Sequence, residues 1–99
     1  MFTHIVLFWL KPEAPRDQQQ KLLTDCSELL GKIPGVRKLT TGKPAMTPRP
    51  VVDNSYQVGM FVLLDDSAAH DVYQEYPLHK EFLARHKDHW QRVQVYDFQ

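Results

Sequence analysis

Tyr73 and His79 share the run Asp71–Phe82, DVYQEYPLHKEF, with Pro77 between them. They are polar intruders in an otherwise apolar stripe of helical spacing. A neutral imidazole is a general base whose reference pKa of about 6.5 lies close to working pH. A phenol donates a hydrogen bond and so polarises a carbonyl or holds a developing enolate oxygen. Together they suit proton abstraction beside a carbonyl, with His79 as the base and Tyr73 orienting the oxygen. The bland alternative is that both are satisfied packing residues beneath a kinked helix. Spacing alone leaves both readings open.

These side chains have to be positioned by the elements around them. Thr3–Leu10 is rich in β-branched and aromatic residues, ends before Pro12 and reads as a strand. Alternation puts His4, Val6, Phe8 and Leu10 on one face and Ile5, Leu7 and Trp9 on the other. Pro15 and Asp17 open a helix whose apolar positions, Leu22 to Ile33, recur at helical spacing before Pro34 stops it. Val36–Thr41 is a short charged strand suited to a sheet edge. The segment Gly42–Ser55 holds Pro44, Pro48 and Pro50 and cannot carry a regular ladder. It is either a solvated loop or an arm against a partner. Tyr56–Leu64 is a second long apolar strand, followed by Asp65, Asp66 and Ser67 as helix caps. Pro77 interrupts the next helix and starts another. Trp90–Phe98 is the last strand.

The order β-α-β-β-α-β, with the second helical segment broken in two, predicts an α+β, ferredoxin-like sandwich within a single domain spanning residues 1–99. Helices then cover one sheet face, gathering His4, Val6, Met60, Phe82, Val93, Tyr73 and His79 into one layer. The other face, with Ile5, Leu7, Trp9, Phe61 and Leu63, is left as an apolar patch that soluble monomers rarely tolerate. The expectation is a homodimer formed by packing two sheets face to face.

Composition narrows the function classes. Lys+Arg and Asp+Glu both number 12, so there is no basic excess to suggest a nucleic-acid partner. The apolar start, Ile5–Leu10, is too short to span a bilayer, and no basic leader or cleavage site accompanies it. Cys26, the single cysteine, suits a reducing compartment and a core position. The expectation is a cytoplasmic protein without a membrane segment. His86-x-x-His89 puts two imidazoles about one turn apart, but the charged residues bracketing it read as a solvated helix end, so no metal ligand is assigned. No Gly-rich phosphate loop, Ser-centred elbow or Cys-x-x-Cys pair occurs.

Several stretches carry a family resemblance: the opening His4-Ile5-Val6, Gly42-Lys43, and Val51-Val52-Asp53 with Tyr56. They are joined by Tyr73-Gln74-Glu75-Tyr76-Pro77-Leu78-His79 and the closing Val95-Tyr96-Asp97-Phe98. Over its whole length the chain resembles the stress-responsive A/B barrel (Dabb) domain family, and residue by residue its plant polyketide cyclase (olivetolic acid cyclase-like) branch. The resemblance implies a dimeric α+β barrel. It also implies a cofactor-free aldol-type cyclase or lyase in which His79 and Tyr73 do the chemistry. In that branch, histidine and tryptophan residues matching His4 and Trp90 line the cavity. Leu22, Leu23 and Cys26 stand where the cyclase has aromatic residues, which alters the cavity's shape. The expected site is thus His79 and Tyr73 as catalytic residues, with His4, Val6, Met60, Phe82, Trp90 and Val93 around a small apolar carbonyl ligand. No cofactor or metal is expected. The competing expectation is a non-catalytic dimeric stress or ligand-binding protein.

Overall fold

The computed structural model describes residues 1–99. Its strands are β1 (Phe2–Leu10), β2 (Val36–Gly42), β3 (Val58–Leu64) and β4 (Trp90–Phe98), and its helices are α1 (Gln18–Glu28), α2 (Ser67–Glu75) and α3 (Pro77–His86). Short 3-10 turns at Leu30–Lys32 and Lys87–His89 lead into β2 and β4. The sheet order is β2-β3-β1-β4 and all pairings are antiparallel. The two most apolar strands are therefore central, as expected, and the short charged β2 lies at an edge. This is the ferredoxin-like α+β fold.

Local chemistry sets the element ends. Asp66 accepts a hydrogen bond from the Ala69 backbone N–H at 2.8 Å, the side-chain N-cap of α2. Asp65, its neighbour, pairs with Arg37 instead. Tyr76 takes an extended conformation, φ −65° and ψ 142°, and Pro77 occupies the first turn of α3. Its missing N–H costs nothing there, and the residue before a proline avoids the helical region. The first helix is shorter than its apolar spacing suggests. It stops at Glu28, and Leu30 and Ile33 reach the core through the 3-10 turn. Gly35 has φ +92°, a conformation that would strain a residue with a Cβ. The strand expected from Tyr56 begins at Val58. Tyr56 instead lays its ring over Gly59, where an added Cβ would sit 3.3 Å from it.

Val6, Phe8, Val58, Met60, Val62 and Leu64 on the covered sheet face are buried against Leu22, Cys26, Leu30, Tyr73 and Phe82. A fully buried leucine such as Leu22 contributes roughly 1.5–3 kcal/mol. Val72 of α2 stays outside this core, at 53% exposed. On the opposite sheet face Ile5, Leu7, Phe61 and Leu63 are only half-buried. The proline-rich loop is largely exposed, including Met46 and Val51. Its end is tied to β1: Trp9 Nε1 donates to Ser55 Oγ at 3.0 Å, and the Leu10 N–H donates to Gln57 Oε1 at 2.7 Å. No helix is long and apolar enough to cross a membrane.

Candidate functional site

Between the covered sheet face and the α2–α3 pair lies a cavity of about 140 Å³, open to solvent on one side. Tyr73, His79, His4, Val6, Met60, Phe82, Trp90 and Val93 all line it, so every residue expected at the site reaches the same space. Two features differ from expectation. The volume falls short of the several hundred cubic ångströms usual for a ligand pocket. Val93 and Val95 line the cavity but stay 38% and 41% exposed, because β4 is an edge strand that the helices do not fully cover.

Tyr73 comes from the last turn of α2 and His79 from the first turn of α3. Their rings meet edge to face, with centroids 5.0 Å apart. His4, from β1, approaches Tyr73 at 5.7 Å, again edge to face. The phenol ring thus packs against two imidazoles. Phe8, Phe82 and Trp90 form an aromatic wall, with Phe8 and Trp90 centroids 4.9 Å apart.

Hydrogen bonding separates the two histidines. His4 Nδ1 lies 2.5 Å from Asp97 Oδ1, its cross-strand partner on β4. With Nδ1–H donating, the other ring nitrogen is left with a free lone pair. His79 Nδ1, Tyr73 Oη and Trp90 Nε1 have no hydrogen-bond partner and are shielded from solvent. Each such atom costs roughly 1–3 kcal/mol. All three lie in one apolar layer.

Burial sets the proton states. It pushes the His79 pKa down, with the charges of His4 and His70 adding to the effect, so His79 is a neutral imidazole at neutral pH. Burial also lowers His4 and outweighs the opposing pull of Asp97. Tyr73 is pushed up by burial and stays a protonated donor. The site therefore offers a neutral base beside a neutral acid, which is what proton transfer at a carbon next to a carbonyl requires.

Two neighbours of the site were absent from the residues expected there. Asp97 orients His4, and pairing the first strand with the last from their ends would have revealed it. His70 precedes Tyr73 by one helical turn, stacks on Phe2 at 4.4 Å and lies 5.0 Å from His4. The reading of His86 as part of a solvated helix end is corrected. His86 is buried, its Nδ1 held by Gln18 Nε2 at 2.9 Å and its Nε2 by Asp25 at 2.7 Å. Both nitrogens are occupied because α3 turns this residue inward onto the buried Gln18 of α1.

The family model described as the stress responsive A/B barrel domain (Dabb) matches residues 2–99. No curated protein matches the chain. Among solved structures, a dimeric ferredoxin-like protein of unknown function from Thermobifida fusca YX is 23% identical with a TM-score of 0.82, covering 98% of this chain and 88% of its own. A Dabb family protein from Mesorhizobium loti is 24% identical with a TM-score of 0.79, covering 99% and 94%. A hydroxynitrile lyase from Passiflora edulis is 15% identical with a TM-score of 0.80, covering 98% and 90%. At these identities the likeness concerns the fold.

Proposed function

Since this chain belongs to the stress-responsive A/B barrel domain family, we propose that it is a cofactor-free acid–base catalyst acting on a small carbonyl compound held between His79 and Tyr73. The observation that carries this reading is the trio of unpaired polar atoms around one cavity, Tyr73 Oη, His79 Nδ1 and Trp90 Nε1. His79 takes a proton from the carbon beside the carbonyl. The C–H electrons form the enolate double bond, and the carbonyl π electrons move to oxygen. Tyr73 donates a hydrogen bond to that oxygen, and Trp90 is a second donor in the same wall. An enolate so formed attacks a second carbonyl of the same molecule, closing a C–C bond, and the alkoxide produced takes the proton back from His79. Run in reverse, with His79 taking the hydroxyl proton, the same groups cleave such a bond. Either direction is cyclase or lyase chemistry of the aldol type.

The cavity volume narrows the substrate. About 140 Å³ is close to an engineered cavity of about 150 Å³ that holds benzene. A ring-sized ketone or aldehyde fits, whereas a long polyketide chain would have to extend through the open side. Deuterium exchange tests this without knowing the substrate. Small ketones such as acetophenone are incubated with the protein in deuterated water and the α-protons followed by NMR. Protein-dependent exchange that disappears in His79→Ala is expected. Exchange unchanged by that substitution removes His79 from the chemistry.

The small volume also favours a second reading, a non-catalytic dimer whose cavity is a packing gap. Its signature is the absence of any exchange, together with no NMR shift changes around the cavity on adding millimolar ketone.

The half-buried face with Ile5, Leu7, Phe61 and Leu63 supports homodimerisation through the sheets, and the Thermobifida fusca relative is described as dimeric. Sedimentation should give a dimer for the wild type and a monomer for Phe61→Glu. A wild-type monomer at micromolar concentration counts against the interface.

A further inference from the structure

We propose that His4, His70 and Asp97 form a binding site for a divalent metal ion at the edge of the cavity, suited to zinc or another borderline ion such as Co²⁺. Three separate elements bring the donors together. His4 and Asp97 are cross-strand partners on β1 and β4, so their side chains leave the sheet on the same face. The helix α2 lays His70 above them. One ligand atom from each of the three residues lies within 4.8 Å of the other two. Around a zinc ion with bonds of about 2.0–2.2 Å in tetrahedral geometry, ligand atoms sit about 3.3 Å apart. His4 Nδ1 and Asp97 Oδ1, now 2.5 Å apart, would separate by less than about 1 Å, and His70 would close by at most about 1.5 Å. Side-chain rotations supply movements of that size.

The donor set is chemically apt. Two imidazoles and a carboxylate are the ligands that borderline divalent ions accept, and three protein ligands leave a coordination position open. The surroundings also help. Phe2 stacks on His70 with an interplanar angle of 21°, which limits the ring's rotation. Gln74 Nε2 lies 3.1 Å from His70 Nε2. A flipped Gln74 amide presents its oxygen instead and accepts the N–H that a metal-bound imidazole keeps on its other nitrogen. Asp97 is partly exposed, which gives the ion a way in. On binding, the ion takes the place of the proton between His4 and Asp97, and that proton moves to the other ring nitrogen of His4. The other histidine cluster lacks these properties, because both nitrogens of His86 are held by Gln18 and Asp25.

The test uses untagged full-length protein stripped with chelator. Zn²⁺ is titrated by calorimetry, and Co²⁺ by its visible absorption. One ion per protomer is expected, with the intense Co²⁺ bands of a coordination number below six. His70→Asn and Asp97→Asn should each weaken affinity at least about 100-fold, the upper end of what loss of a mere supporting contact costs. His89→Ala, at the other cluster, should bind as the wild type does. Circular dichroism confirms that each variant is folded, and a variant that fails this is replaced by His70→Gln or Asp97→Ser. Binding that is absent, unchanged in both ligand variants, or lost in His89→Ala overturns the site. The measurement reads the ion directly, so it stands or falls separately from the acid–base chemistry of His79.

Discussion

Replacing Tyr73 with phenylalanine separates function from stability in opposite directions. The ring of Tyr73 is fully buried and packs against His4, His70 and His79. Phenylalanine keeps that packing and removes only the hydroxyl. The hydroxyl has no partner, so the wild type bears a cost of roughly 1–3 kcal/mol for its desolvation. The void left by one oxygen offsets a few tenths of a kcal/mol, at about 24 cal/mol per Å³. Tyr73→Phe is therefore expected to be more stable by about 1 kcal/mol. In a domain of this size that raises Tm by about 4–8 °C. At the same time it should slow ketone exchange about 100- to 1,000-fold, because one of the two donors to the enolate oxygen is gone. Urea and thermal unfolding followed by circular dichroism measure the first effect. Protein concentrations must be matched, since dimerisation contributes to apparent stability. A variant less stable than wild type by more than about 1 kcal/mol would refute the reasoning, because it would mean that Oη already has a partner.

Other consequences can be checked separately. Burial holds the folded-state pKa of His79 below its ordinary 6.5, and the groups facing it are His4, His70 and Glu75. The unfolded chain then binds the proton first as pH falls. Stability present above pH 6.5 should be lost from there downward through the lowered pKa, and urea midpoints between pH 5 and 8 should show a shallower slope in His79→Gln. Cys26 is fully buried and burial pushes its thiol up to about 12, so a thiol reagent should leave it unmodified until denaturant is added. His86→Ala strands the buried Gln18 amide and leaves Asp25 only its longer contact with Arg85, and should cost about 2 kcal/mol in urea unfolding, whereas Val51→Ser in the exposed loop should stay within about 0.5 kcal/mol.

The fold was legible because apolar periodicity and punctuation agree along most of the chain. Alternation in β1 and β3 fixed the buried face, and Asp66 and Pro77 marked helix starts that the structure bears out. The errors occurred where tertiary contacts override local pattern. Leu30 and Ile33 fall on the helical period of α1, yet they are delivered by a 3-10 turn and the residue that follows it, because the chain must tighten before Pro34. Charged neighbours made His86 read as solvated, but burial is decided by one helix face and not by sequence neighbours. Lys87 and Arg85 flank His86 along the chain and are exposed, although Arg85 reaches the same Asp25 that holds His86. Asp97 sits beside His4 through the pairing of the first strand with the last, a long-range contact that the local pattern of neither strand displays by itself. Cavity volume depends on how far the helices stand off the sheet, a distance that no residue pattern encodes.

The break at Tyr76–Pro77 makes the site possible. Tyr73 and His79 are six residues apart. On one continuous helix, at about 100° per residue, their side chains would diverge by about 120° around the axis, and only one of them would face the sheet. The extended conformation of Tyr76 re-aims the chain, so that α2 ends and α3 begins with both rings turned into the same cavity. The backbone groups freed by the break are partly recovered, since Tyr76 O accepts from the N–H groups of His79 and Lys80 at 2.9 and 3.2 Å. The polar atoms it brings together are not recovered. Three unpaired atoms cost roughly 3–9 kcal/mol in all, against a total stability of about 5–15 kcal/mol for a typical domain. A layer built only to pack would reach higher stability with phenylalanine and leucine at these positions. A polar ligand that pairs with Tyr73, His79 and Trp90 would recover much of that cost when it binds, which makes the energetic penalty of the unpaired atoms part of its affinity.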